Sequence, residues 1–296
     1  MNACPVPSRL AGAAAVLAVL LAAVAGCATP TSMAPALSAQ RAAEILASTD
    51  RTNADRTNDI RRKPEALLPF IGPRPGMVAL DVSAGGGYTT ELLARAIGPT
   101  GRVYGQSQPR DPSRPLPAPA APEGNSHPTA ASAPVVAAPA AAPRPSAVAL
   151  AEREQRLRQA QVPAAPIVAV AQRFDNPVPA ELADAGLDLV TLMFNYHDLG
   201  HMGVDRAAMN RALFKALKPG GVYVIGDHAG RPGTGISEAG TLHRIDEAFL
   251  RAEVEAAGFR FLAAGDFLRN PNDPRDKNTP NPPQPKDEFV FKFVKP

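Results

Sequence analysis

Residues 81–88 read Asp81-Val82-Ser83-Ala84-Gly85-Gly86-Gly87-Tyr88, and they join an apolar run at 77–82 to an amphipathic segment at 89–97. The run has the length of a buried strand, and the segment, closed by Gly98-Pro99, has the period of a helix. A glycine-rich turn between strand and helix lets backbone N–H groups approach a ligand closely, because no Cβ stands in the way. The N-terminus of the helix that follows favours an anionic group. The octapeptide therefore predicts an α/β sheet with a ligand at the carboxyl end of its first strand.

Outward from this turn the alternation continues. Strands are predicted at 102–104, 167–170, 187–194, 222–227, 259–264 and 288–294, and helices at 147–161, 205–217 and 242–257, which makes seven strands in one α/β domain. Upstream, a helix is predicted at 37–48. The charged run at 55–64 reads as a solvated surface segment leading into a short helix at 66–70. Residues 109–145 hold eleven prolines and no Phe, Tyr or Trp. Such a composition cannot bury enough apolar surface to order itself, so it reads as a disordered Pro/Ala-rich insertion.

The chain has 296 residues and 31 Lys+Arg against 28 Asp+Glu, a formal charge of +3. That excess is too small to favour a nucleic-acid partner. At the N-terminus, Arg9 precedes an apolar run at 10–25, the layout of a secretory signal and short for a membrane span. The run ends in Val24-Ala25-Gly26-Cys27, which resembles a bacterial lipobox. The resemblance implies cleavage before Cys27, a signal peptide at 1–26, and acylation of Cys27 as the new first residue; an uncleaved anchor helix is the other reading. Cleavage would discard Cys4 and leave no free thiol, since the chain has two cysteines. Ala28 after the cysteine implies the periplasmic face of the outer membrane, where three acyl chains hold a protein stably.

Beyond the glycine turn, Leu187-Asp188-Leu189-Val190-Thr191 and Leu217-Lys218-Pro219-Gly220-Gly221-Val222-Tyr223-Val224 stand where a fourth strand and a fifth-strand junction are expected. Together with Asp81-x-Ser83-x-Gly85-x-Gly87, they resemble the class I S-adenosylmethionine-dependent methyltransferases, with Ser83 where the first glycine is usual. The resemblance covers roughly residues 63–296, after a tether and helical segment at 27–62. Asn195-Tyr196-His197-Asp198 and Thr241-Leu242-His243-Arg244-Ile245-Asp246 resemble a subgroup of exported predicted methyltransferases. The implied fold is a seven-stranded, doubly wound, Rossmann-like sheet with an antiparallel last strand.

The implied activity is methyl transfer from S-adenosylmethionine to a small-molecule acceptor. By resemblance, Gly85 and Gly87 contact the methionyl end of the cofactor, Asp81 braces their loop, and Ser83 and Asn195 lie beside it. Gln106 stands where the family has an acidic residue for the ribose, and Asp175 where a carboxylate often lies near the adenine. His197 is the candidate general base, or else a hydrogen-bonded histidine that shapes the pocket wall, with Tyr196, Asp198 and, after Asp227, His228 around the acceptor. His197, His201, His228 and His243 with the nearby carboxylates suggest a metal, but linear spacing gives no tight pair beyond His197 and His201, so no metal site is expected. The alternative function is a catalytically inactive, lipid-anchored binding protein of the envelope that retains the fold, because S-adenosylmethionine is made in the cytoplasm.

Overall fold

Strand β1 (Val78–Val82) pairs with two parallel neighbours, β2 (Arg102–Ser107) on one side and β4 (Leu187–Met193) on the other. The computed structural model describes residues 1, 37–109, 144–278, 280 and 284–296. With β3 (Ile167–Ala171), β5 (Leu217–His228), β6 (Arg260–Gly265) and β7 (Glu288–Val294), the sheet runs β3-β2-β1-β4-β5-β7-β6. Strand β7 is antiparallel to both β5 and β6, whereas the other pairs are parallel. The chain winds outward from β1 to β3, returns to β4 and winds the opposite way. The carboxyl ends of β1 and β4 thus flank the crevice where open α/β sheets bind ligands.

The central strands β1, β4 and β5 are buried on both faces, so their sequences hold nearly continuous apolar runs, while the edge strands β3 and β6 expose alternate residues. On one face lie α3 (Pro64–Ile71), α4 (Tyr88–Ile97) and α5 (Ser146–Gln159). They seat Leu67, Ile71, Leu93, Ile97, Leu150 and Leu157 on Ala79, Val103, Leu189 and Val224. On the other face, α7 (Arg206–Ala216) and α9 (Glu247–Ala256) seat Met209, Leu213, Leu250 and Val254 on Leu80, Val190, Tyr223 and Phe293. Short turns α6 (Asp198–His201) and α8 (Ala239–Leu242) sit between these elements, while α1 (Ala39–Ala47) packs Ala42 and Ile45 on Leu68 and Leu92. Among the described residues, no helix is long and apolar enough to cross a membrane.

Three local outcomes differ from the sequence reading. Helix α2 (Asn53–Arg62) and α1 belong to the same compact unit as the sheet, although the domain was expected to begin at 63. Strand β5 starts at Leu217 rather than 222: Lys218-Pro219-Gly220-Gly221 is taken up in a register shift against β4, and Gly220 N and Gly221 O bond with Lys295. The helix expected at 242–257 is broken, because His243 adopts a left-handed φ of 50° and Asp246 caps a new helix through Ala248 N. The lipobox with Cys27 lies outside the described residues, as does nearly all of the Pro-rich insertion.

Candidate active site

The chain leaves β1 at Ser83 with φ 59°, a left-handed value that glycine takes without strain. Serine is held there from two sides: its N–H donates to Gln106 Oε1 at 3.0 Å, and its hydroxyl donates to Asn195 Oδ1 at 2.8 Å. Beneath the turn, the buried Asp81 accepts bonds from the hydroxyls of Thr90 (2.6 Å) and Thr191 (2.7 Å), tying β1 to α4 and β4. Burial pushes the Asp81 carboxyl up to about 6, against the pull of these hydroxyls and of Arg62. Asp81 thus braces the turn.

The three glycines differ in what surrounds them. A Cβ on Gly86 would meet nothing within 4 Å, and one on Gly85 only the Ser83 carbonyl at 3.9 Å. At Gly87 it would strike Leu150 Cδ2 at 2.7 Å and Arg153 Cδ at 2.8 Å. Gly87, expected beside the cofactor, is instead required by the close approach of α5. Gly85 and Gly86 face a cavity of about 240 Å³ bounded by Asn58, Arg62, Tyr88 and Met193.

Helix α2 forms the far wall of this cavity: one face stays solvated, with Arg56, Thr57 and Ile60 exposed, while Asp55 is buried against the domain. Arg153 of α5 donates to the Gly86 carbonyl at 2.5 Å and forks onto Asp55 of α2 and Glu91 of α4. Asp59 receives Arg51 at 2.6 and 2.7 Å and the Tyr88 hydroxyl at 2.6 Å. Arg62 lies 3.9 Å over the Phe194 ring. Lys63, with φ 43°, ends α2, and Pro64 starts α3, which turns the charged helix across the sheet edge. On its other side α2 lends Arg61 and Lys63 to a second cavity of about 430 Å³, with Arg269, Asn270, Lys286 and Glu288 opposite.

Beyond β4 the chain turns through Phe194, φ 61°, into Asn195-Tyr196-His197-Asp198. His197 is fully buried. Its Nδ1 lies 2.6 Å from Asp227 Oδ1, its N–H donates to Asp227 Oδ2 at 2.8 Å, and its Nε2 lies 3.2 Å from Asp198 Oδ1. Burial alone would lower this imidazole, but the two carboxylates hold it at about 10. Both ring nitrogens thus face carboxylates, an arrangement that favours the imidazolium and ties the turn after β4 to β5. Burial of Asp198 is likewise outweighed by His197 and His243, and its carboxyl falls to about 2.

The remaining expected residues divide. Asn195 bridges Ser83 to Asp198 Oδ2, the latter at 2.9 Å, and so links the two turns. Tyr196 points to the opposite face: its hydroxyl accepts from Asn210 and donates to Glu253, so it is a core residue. His228 is buried, 5.3 Å from the His197 ring and 3.0 Å from Glu288 Oε1. Burial would raise Glu288, yet His228 and Arg61 keep it below the usual carboxylate range. The buried Gln106 amide is engaged at both its oxygen and its nitrogen, accepting from Ser83 N and donating to the Gln172 carbonyl at 2.7 Å, so it braces the loop and does not line the cavity. Asp175 pairs with Arg173 on an exposed turn and does not line the cavity. The sequence reading gave no site role to Asn58 or Arg62; Asp227 was visible beside His228 at the end of the fifth strand, and His243 in the quoted 241–246 motif.

No family model matches the chain. A stretch of 38 residues, 13% of this chain, is 50% identical to protein-L-isoaspartate O-methyltransferase of Aeropyrum pernix, and it spans 15% of that relative's length. Among solved structures, an S-adenosylmethionine-dependent methyltransferase from Aquifex aeolicus is similar over 83% of this chain and 100% of its own, with 15% identity and a TM-score of 0.49. Aeropyrum pernix fibrillarin, solved with natively bound S-adenosyl-L-methionine, is similar over 74% of this chain and 67% of its own, with 15% identity and a TM-score of 0.40. The seven-stranded, doubly wound sheet with its reversed last strand and glycine turn after β1 is a Rossmann-like α/β fold.

Proposed function

We propose that the protein binds S-adenosylmethionine at the turn after β1 and transfers its methyl group to a small polar acceptor. The observation that carries this reading is the pair of bare glycines, Gly85 and Gly86, opening on a cavity at the crevice between β1 and β4. A side chain at either position would fill space that a methionyl group can use. The cofactor would supply an activated methyl on a sulfonium, and displacement in line with that bond needs alignment more than covalent help. Gly85 and Gly86 present backbone to the ligand, Asp81 and Gln106 hold the turn in place, and Arg62 closes the cavity from α2. The larger cavity shares α2 and its polar lining suits the acceptor.

The Val24–Cys27 lipobox supports anchoring of the domain through acylated Cys27 at the periplasmic face of the outer membrane. Palmitate labelling that disappears in Cys27→Ala is the expected result; label retained by the variant rules the anchor out. For the activity, the full chain is titrated calorimetrically with S-adenosylmethionine, its demethylated product and NAD. Binding of both sulfur ligands without NAD is expected. No binding at millimolar ligand overturns the reading in favour of an inactive envelope protein, for which the engaged amide of Gln106 is the supporting feature.

A further inference from the structure

Four of the chain's five histidines, His197, His201, His228 and His243, meet at the carboxyl edge of β4 and β5. They come from three separate segments, so the cluster is a product of topology. At its centre is one oxygen, Asp198 Oδ1, which lies 2.9 Å from His243 Nδ1, 3.2 Å from His197 Nε2 and 3.8 Å from His201 Nδ1. His197 Nε2 is buried, and despite that 3.2 Å distance it makes no aligned hydrogen bond. Its other ring nitrogen is fixed on Asp227, so Nε2 is the atom turned toward Asp198 and His243.

We propose that His197 Nε2, Asp198 Oδ1 and His243 Nδ1 bind one divalent transition-metal ion of the zinc class. Two imidazoles and a carboxylate are donors that this class accepts readily. Bonds of about 2.0–2.1 Å in tetrahedral geometry place ligand atoms about 3.3 Å apart. The two separations from Asp198 are 3.2 and 2.9 Å, and all three donor atoms lie within 4.8 Å of one another. Small rotations of the side chains close the site.

The surroundings have the form that metal ligands require. A ligating histidine usually donates its second nitrogen to a carboxylate, which fixes both tautomer and ring plane; Asp227 does this for His197 at 2.6 Å. Asn195 Nδ2 donates to Asp198 Oδ2, holding that carboxylate with Oδ1 toward the imidazoles. His243 is presented from a left-handed backbone position between α8 and α9, a strained conformation for a non-glycine residue. With Nδ1 engaged by Asp227, the buried Nε2 of His197 has no aligned partner, and an ion between it, Asp198 Oδ1 and His243 Nδ1 would satisfy all three atoms. Three protein donors leave a fourth position for His201, water or an oxygen-bearing ligand. The site stands whether or not methyl transfer is the activity.

The test is a titration of the full chain, stripped of metal by a chelator and dialysed, first with Zn²⁺ by calorimetry and then with Co²⁺ by visible absorption. One Zn²⁺ per chain at micromolar affinity or better is expected, with the intense bands of tetrahedral Co²⁺. His243→Ala should weaken Zn²⁺ by about 100-fold or more, and Asp227→Asn by about 10-fold as an orienting residue. His127→Ala, outside the described residues, should leave the affinity unchanged. The His243 side chain is one-third exposed, so the alanine variant should fold, as its metal-free melting curve will show; His243→Gln repeats the measurement with a similar volume. Absence of Zn²⁺ binding at 100 µM, or affinity undiminished in both His243 variants, overturns the site.

Discussion

The turns after β1 and β4 begin alike and finish differently. Their strands pair in parallel, from Ala79 with Leu189 to Val82 with Leu192. Each chain then leaves through a non-glycine residue at positive φ, Ser83 at 59° and Phe194 at 61°. After Ser83 the backbone stays bare and opens on a cavity, while nearby side chains turn inward as braces. After Phe194 the backbone is covered, and His197 and Asp198 meet carboxylate and imidazole partners from β5 and from the break between α8 and α9. One turn offers a ligand its main chain; the other offers charge. Substitutions that separate main chain from charge test this division.

The largest effect should come from the charged turn. Asp227 accepts from His197 N, His197 Nδ1 and His228 N, all in a fully buried setting. Asp227→Asn keeps the shape but removes the charge opposite a buried imidazolium. Breaking such a pair by removing one partner costs about 3–5 kcal/mol. Urea unfolding at pH 7 is the measurement. A loss under 1 kcal/mol would mean that the turn after β4 is held by packing, as a covered backbone alone could be.

Next is the bare turn. Gly86→Val adds a side chain where no neighbour lies within 4 Å, at a residue outside the positive-φ region, so folding stability should be unchanged. A ligand lying on the turn would lose its seat: S-adenosylmethionine affinity should fall at least about 100-fold, or about 2.8 kcal/mol. Gly87→Val should do the reverse, lowering stability by displacing Leu150 and Arg153. If both variants lose stability and neither selectively loses ligand, the glycines serve helix packing alone.

These differences explain what could be read from sequence. The seven strands and the glycine turn are local: a strand's apolar run and the freedom of Gly85 and Gly86 are properties of neighbouring residues. The turn after β4 was visible as Asn195-Tyr196-His197-Asp198, but its chemistry was not. Whether His197 is a base depends on Asp227, 30 residues away, and whether Asp198 meets an imidazole depends on His243, 45 residues away. Tyr196 shows the same gap, since one step along the chain moves its side chain to the opposite face and onto Asn210 and Glu253. Helix α2 was half legible: its exposed face agrees with the charged run, while the pairing of Asp55 with Arg153 and of Asp59 with Arg51 depends on distant segments.

A smaller, pH-dependent effect should come from the brace of the bare turn. The folded Asp81 carboxyl titrates at about 6, above its ordinary 3.8 because of burial, with Arg62 the charged group acting against the shift. A raised carboxyl favours folding while protonated, so its contribution is complete below about pH 4 and is lost as pH rises through 6. Asp81→Asn stays neutral. Its stability relative to the wild type should therefore rise by about 2–3 kcal/mol between pH 4 and 7, on top of a constant penalty for one weakened threonine bond. A pH-independent difference would place the ionised carboxylate comfortably inside the turn.

The smallest effect belongs to Asp175, and its smallness is informative. By resemblance it would stand near the adenine, and replacing it would then weaken cofactor binding by tenfold or so. In the fold it sits on an exposed turn after β3, fastened to Arg173 at 2.9 Å and away from the residues that line the cavity. Solvent screens an exposed pair of this kind, so it contributes little to stability. Asp175→Ala should leave the melting temperature unchanged and shift S-adenosylmethionine affinity by less than about twofold. A tenfold loss would mean that the ligand reaches past the end of β2 to the turn after β3. The bare backbone at Gly85 and Gly86 would then be only one end of a longer site, and the contrast between the two turns would no longer define where the ligand lies.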